Sequence, residues 1–262
     1  MSPQRKRLGL ALAGGVLRGR AHVGVIQALE EAGIVADFVS GVSAGAIVGA
    51  AYAAGLNAAQ LHDLAHDFSW LQIATPVVLN PFRQGLSRLG LVDFYNLELF
   101  LIRAFGDLTF EELPRPLAIG TTDVMTGQPV TLTSGRVALA ARASSSVPGV
   151  VAPVRWRDRV LCDGGVSNNV PISILRDMGA DVVVAVNIMP GLQRLPSNFI
   201  WAASNAISHM ILHSSDKLDS ADIVIEPDIA ETSYVHPPTD ALVQMGQDTA
   251  APFIPRLQAL LA

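Results

Sequence analysis

Short apolar runs alternate along this chain with alanine-rich stretches, a rhythm that predicts strands and helices in turn. Leu8–Leu12 is apolar over the length of a strand, and Ala13-Gly14-Gly15-Val16-Leu17-Arg18-Gly19 follows it as a glycine-rich turn. Over residues 21–32, Val23, Ile26 and Leu29 share one side of a helix, Glu30 and Glu31 lie near its end, and Gly33 stops it. Residues 37–40 lean to strand, and residues 46–54, rich in alanine, lean to helix. Residues 117–122 and 129–133 read as strands joined by the turn Met125-Thr126-Gly127-Gln128, and residues 136–144 as a helix. Residues 159–162 form another apolar run; Pro171, with Ile172, Ile174 and Leu175 behind it, reads as the first turn of a helix. Residues 181–188 are rich in β-branched side chains, the pattern of a fully buried parallel strand, and residues 221–226 look similar. Residues 198–220 and 239–262 read as helical, with Pro252 and Pro255 as interruptions. The expected fold is α/β: a three-layer α/β/α sandwich on a mainly parallel sheet.

Composition narrows the function classes. At 262 residues and 27.7 kDa, one domain is expected, with a tail over residues 1–7, a core over 8–190, and residues 191–262 completing the same unit. Half of the residues are hydrophobic, enough for such a sandwich. A net charge of −5 supplies no basic footprint, so nucleic acid is not an expected partner. The lone Cys162 excludes an internal disulfide framework and a cysteine metal cluster. The cationic start leads into an apolar run broken by glycines, Arg18 and Arg20, which is not a secretory signal. Residues 38–61 carry no charge and could pass for a membrane span, but their many small residues favour a buried strand and helix. A soluble, cytoplasmic protein is expected, with a peripheral place at the inner membrane face left open.

Three motifs carry chemistry. Gly41-Val42-Ser43-Ala44-Gly45 lies between a β-leaning run and an alanine-rich helix, the setting of a nucleophile elbow. There a serine sits on a strained turn, and the N-terminal N–H groups of the next helix point at any oxyanion formed beside it. Asp163-Gly164-Gly165 ends an apolar strand, which should place the carboxylate on the sheet edge where α/β sites are built. The glycine turn at residues 13–19 lacks the spacing of a dinucleotide fingerprint, since Val16 occupies a glycine slot, and no Lys-Ser or Lys-Thr pair makes it a Walker loop. It reads best as an oxyanion hole in which Gly14 and Gly15 present backbone N–H groups beside Ser43.

The order of these motifs resembles the patatin-like phospholipase family, and is most similar to short bacterial members related to the catalytic domain of neuropathy target esterase. Arg20-Ala21-His22-Val23-Gly24-Val25, Ala143-Ser144-Ser145-Ser146-Val147-Pro148-Gly149-Val150 and the stretch from Asp163 to Pro171 strengthen the likeness, which covers about residues 8–190. One departure is visible: the family has three or more glycines before Arg-Gly, where this chain has Gly14 and Gly15 followed by Val16 and Leu17. The resemblance implies a serine acyl hydrolase on lipid esters, with Ser43 as nucleophile and Asp163 as its base, and no metal or cofactor. Arg18, Gly19, Gly41, Gly45, Gly164 and Gly165 would support the site. Arg18 would steady the glycine turn or draw in a phosphate headgroup, the structural role being favoured, and His22 would be structural. The residues also admit a conventional triad of Ser43, Asp163 and one of His209, His213 or His236, and a low-turnover lipid-binding or regulatory module. His209 and His213 lie one turn apart, more simply a helix face than a metal pair.

Residues 69–105 have no clear period. Ile73, Pro76, Val77, Val78, Leu79, Pro81, Phe82 and Leu86 crowd a segment that is either a core-covering loop or an apolar cap over an acyl pocket. Phe94, Leu97, Phe100 and Leu101 mark one face of a short helix that could line such a pocket.

Overall fold

A computed structural model of the chain describes residues 5–77, 85–189, 214–229 and 238–262. Five strands form its parallel centre: β1 (Leu8–Leu12), β2 (Phe38–Gly41), β5 (Leu117–Asp123), β9 (Val182–Val186) and β10 (Ile223–Ile225), in the order β10-β9-β1-β2-β5. Three antiparallel additions complete an eight-stranded sheet: β6 (Pro129–Leu132) and β8 (Arg159–Asp163) on β5, and β7 (Val154–Trp156) on β8. A minor pair, β3 (Thr75–Pro76) and β4 (Val92–Asp93), stands apart. The sheet is therefore mainly parallel, as the continuous apolar runs lead one to expect.

β1 is the central strand and is buried at every residue. Its two faces carry different helices. Leu12 meets Gly49 of α2 (Ala44–Ala53), while a side chain at Gly9, three residues earlier and hence on the opposite face, would strike Leu175 of α7 (Ile172–Asp177). Helices thus cover both sides. On its outer side α1 (Arg20–Glu31) packs against α8 (Thr239–Ala250), where Gly24 lies against the carbonyl of Val243 and Gly246 against that of Ala21. Any Cβ at these two positions would push the helix backbones apart. A 3-10 turn at Ala251–Phe253 and α9 (Ile254–Leu261) follow, breaking where Pro252 and Pro255 stand.

Outside the expected elements, α3 (Ala58–Asp67) begins at an Asn57 capping box, in which Asn57 accepts from the Gln60 N–H and Gln60 accepts from the Asn57 N–H. The described part of the segment without period condenses around a short α4 (Trp70–Ile73), the β3–β4 pair and α5 (Tyr95–Phe105), while Val78, Leu79, Pro81 and Phe82 lie outside the described residues. It is anchored by buried charge: Arg142 of α6 (Val137–Ser144) bridges Asp93 at 3.1 Å and Glu98 at 3.0 Å. Most of the helix expected over residues 198–220 lies outside the described residues. Its described end, residues 214–220, holds only a 3-10 turn at Leu218–Ser220, because Asp216 gives its N–H to Asn168 and accepts from the Ser173 N–H. Among the described residues, no helix is long and apolar enough to cross a membrane.

Candidate active site

The site forms where two strands meet end to end on one edge of β5. Ile119 pairs with Gly41 of β2 and Leu132 of β6; Thr121 pairs with Asp163 of β8 and Val130 of β6. β6 therefore holds one edge, and β2 and β8 share the other. The hydrogen bonds agree: Pro116 accepts from Val39 of β2 and Val124 donates to Val160 of β8, whereas Asp123 donates to Gln128 beside β6. β2 ends at Gly41 and β8, running the opposite way, ends at Asp163, so the two chain ends converge at Gly120. Asp163 is the last residue of its strand, and that strand is antiparallel to β5: β8 descends along the edge that β2 vacates.

Ser43 follows β2 and precedes α2, with φ 51° and ψ −118°, a left-handed conformation that costs a serine about 1–3 kcal/mol. Packing enforces it. A side chain at Gly41 would overlap the Gly45 carbonyl, and one at Gly45 would overlap that of Leu12, so strand and helix touch through bare backbone. The Ser43 N–H donates to Ser144 Oγ at 2.8 Å, and Ser144 Oγ donates to the Gly120 carbonyl at 2.6 Å, filling the gap between β2 and β8. The Ser43 side chain lies close enough to the Asp163 carboxylate to favour its ionised form.

Asp163 is 2% exposed. Burial pushes its carboxyl up to about 6, against the opposing pull of the Gly165 N–H and the Ser43 hydroxyl. Gly165 donates to Oδ1 at 2.8 Å, and the Asp163 backbone is fixed by its N–H to Ser146 and its carbonyl from Thr122 Oγ1, each at 2.9 Å. Gly164 sits against the Gly120 carbonyl, leaving no room for a side chain. The neighbouring Cys162 thiol is pushed up to about 12, chiefly by burial and further by Asp163 and Asp123, and stays neutral.

The glycine turn packs on the same spot. A Cβ at Gly14 would lie 3.2 Å from Ser43 Cβ and 2.5 Å from Asn169 Oδ1. Gly14 donates its N–H to that oxygen at 3.1 Å, so it is already engaged, while Gly15 caps a 3-10 turn, Val16–Gly19, whose first N–H groups have no partner within the turn. Val16 has φ 55°, a second strained residue at the site. Arg18 is buried, not presented to solvent, and a Cβ at Gly19 would clash with Ala44 Cβ at 2.7 Å. His22 Nε2 donates to the Ala13 carbonyl at 2.8 Å, and burial brings the imidazole down to about 4, which keeps it neutral. No described histidine hydrogen-bonds Ser43 or Asp163; His209, His213 and His236 lie outside the described residues. Asn169 and Ser144, both inside motifs legible in the sequence, were not anticipated as site residues.

An apolar cleft opens beside the turn, lined by Val16, Leu17, Val23, Ala44, Ile47, Val48, Leu61, Leu64, Ala65 and Phe68. The expected lining by residues 94–101 differs: Phe94, Leu97 and Leu101 enter the core, and only Phe100 approaches, edge-on to Phe68 at 5.7 Å.

This arrangement defines an α/β protein with an elbow serine paired to a buried carboxylate. The patatin-like phospholipase family matches residues 10–176, and the chain belongs to it. An uncharacterized NTE family protein of Mycobacterium tuberculosis is 38% identical over 174 residues, which is 65% of this chain and 28% of that protein. The lysophospholipase nte1 of Aspergillus fumigatus is 33% identical over 192 residues, 70% of this chain and 12% of that protein. The chain thus spans less than a third of the length of either relative. Among solved structures, VipD from Legionella pneumophila superposes with a TM-score of 0.61 at 18% identity, covering 97% of this chain and 67% of that one. ExoU in complex with SpcU, from Pseudomonas aeruginosa, gives 0.54 at 17% identity, covering 98% and 53%. These two likenesses concern the fold.

Proposed function

We propose that this chain hydrolyses lipid esters through an acyl-enzyme on Ser43, with Asp163 as the base. The observation that carries the reading is a serine on a strained elbow set beside a buried carboxylate. A free aspartate is a weak base; burial that raises it to about 6 brings it closer to the operating range of a general base. Asp163 takes the serine proton as Oγ attacks the ester carbonyl. The tetrahedral oxyanion then faces the N-terminus of α2 and the glycine turn, where Gly15 is the better donor and Gly14 is held for positioning by Asn169. Collapse expels the alcohol, which recovers the proton from Asp163; water, deprotonated by the same carboxylate, releases the acid and restores Ser43. The cleft argues for the substrate class. Val16 and Ala44, each next to a reacting element, belong to its apolar wall, so an acyl chain lying there brings its carbonyl to Ser43.

An active-site fluorophosphonate probe tests this. Labelling of the parent protein at Ser43, with labelling and p-nitrophenyl ester hydrolysis both lost in a folded Ser43→Ala variant, is the expected result. A folded parent that takes up no label would instead favour the lipid-binding module.

A further inference from the structure

We propose that His62, His66 and Asp240 bind one divalent transition-metal ion of the zinc class, tying the wall of the apolar cleft to α8. His62 and His66 lie four residues apart on α3, and so share one face. Their ring centroids are 4.7 Å apart, and both Nε2 atoms point at one oxygen, Asp240 Oδ1, at 3.1 and 2.7 Å. The three candidate ligand atoms all lie within 4.8 Å of one another. Zinc bonds of about 2.0–2.1 Å in tetrahedral geometry place ligand atoms about 3.3 Å apart, so small side-chain rotations suffice. Two imidazoles and a carboxylate are a borderline ligand set that suits zinc better than calcium or magnesium. The side chains are partly to largely exposed, so an ion can enter and water can complete its coordination.

The ion would take the Nε2 lone pair of each imidazole, in the tautomer that carries its proton on Nδ1. The consequence follows from the helix that carries the ligands. α3 supplies Leu61, Leu64 and Ala65 to the cleft, with Phe68 just past its end, while Asp240 sits in the first turn of α8. An ion there cross-links the cleft wall to a helix that is packed on α1, far away in sequence.

Zinc titrated into the full chain by calorimetry in a non-chelating buffer, with cobalt absorption as a second readout, tests the site. The expected result is one ion per chain lost in the His62→Gln/His66→Gln double variant, and affinity at least about tenfold weaker in Asp240→Asn. Asp248→Asn, which removes another exposed carboxylate of α8, should bind like the parent, and zinc should raise the melting temperature of the parent but not of the double variant. Fluorophosphonate labelling of Ser43 should persist in all of them. Absence of binding to the parent, or unchanged stoichiometry in the double histidine variant, overturns the site.

Discussion

Asp163 holds two opposed demands in one side chain. As a base it must be ionised, and as a buried group it is costly when ionised. With a carboxyl raised from 3.8 to about 6, the folded protein binds a proton more tightly than the unfolded chain does. The stability cost is absent below about pH 4, grows as pH rises through the window from about 4 to 6, and is constant above it. At neutral pH it amounts to about 3 kcal/mol at most, taking 1.36 kcal/mol per tenfold. Asp163→Asn keeps the shape and the acceptor for the Gly165 N–H. It should therefore melt several degrees higher than the parent at pH 7.5, by about 2–4 °C per kcal/mol, while acylation falls by several orders of magnitude. Melting curves at pH 4 and 7.5 check the sign: the gap between variant and parent should widen at the higher pH. The rate of the parent should in turn climb through about pH 6 as the base ionises. His209→Gln, His213→Gln and His236→Gln should each keep most activity; one folded, inactive variant among them would sink the dyad.

At the scale of elements, the glycine turn, the elbow and the aspartate loop are locked by a few polar contacts. Asn169, 1% exposed, accepts the Gly14 N–H and offers Nδ2 to the Gly14 carbonyl at 3.5 Å. A Cβ at Gly15 would meet Ile188 Cδ1 at 2.6 Å. Gly15→Ala and Asn169→Ala should therefore lower kcat, by about 10–100-fold, with little change in KM, because a displaced donor is missed mainly in the transition state. A change confined to KM would assign the turn to substrate binding. The elements themselves were readable where their signal is local. β1, α1, the elbow and the long apolar strand β9 follow from periodicity, glycine placement and β-branching. α3 carried an equally local signal, the Asn57–Gln60 capping box, that periodicity alone does not reveal. What could not be read is pairing at a distance. Nothing in residues 159–163 says that β8 runs against its neighbours, and nothing near residue 144 says that its hydroxyl fills the gap at Gly120. β7 is three residues long beside Pro153, too short for any alternation to register.

For the molecule as a whole, two proposals meet. Described parts of the C-terminal segment pack on the core: β10 extends the sheet at β9, and α8 is packed glycine to backbone on α1. The cap, by contrast, faces outward with apolar side chains. Leu71 is 90% exposed, Leu91 67% and Leu89 58%, with Tyr95 and Val150 partly exposed beside them; Leu91 and Val150 are joined by a backbone hydrogen bond. Apolar residues scattered singly need no explanation, but these share adjoining segments next to the helix whose Phe100 touches the cleft wall. If the proposed lipid-ester hydrolysis takes place at a bilayer, this is the surface to insert, because insertion removes leucines from water. Burying one leucine contributes about 1.5–3 kcal/mol, so Leu71→Asp/Leu91→Asp should weaken vesicle binding by at least about 100-fold. The same variant should hydrolyse a short, soluble p-nitrophenyl ester at the parent rate, since neither residue touches Ser43, Asp163 or the glycine turn. Co-sedimentation with phosphatidylcholine vesicles, run beside the soluble assay, separates the outcomes. Unchanged sedimentation would remove the membrane role from this face and leave the cap a lid for the core; a parallel loss of soluble activity would mean that the leucines hold the site together from outside.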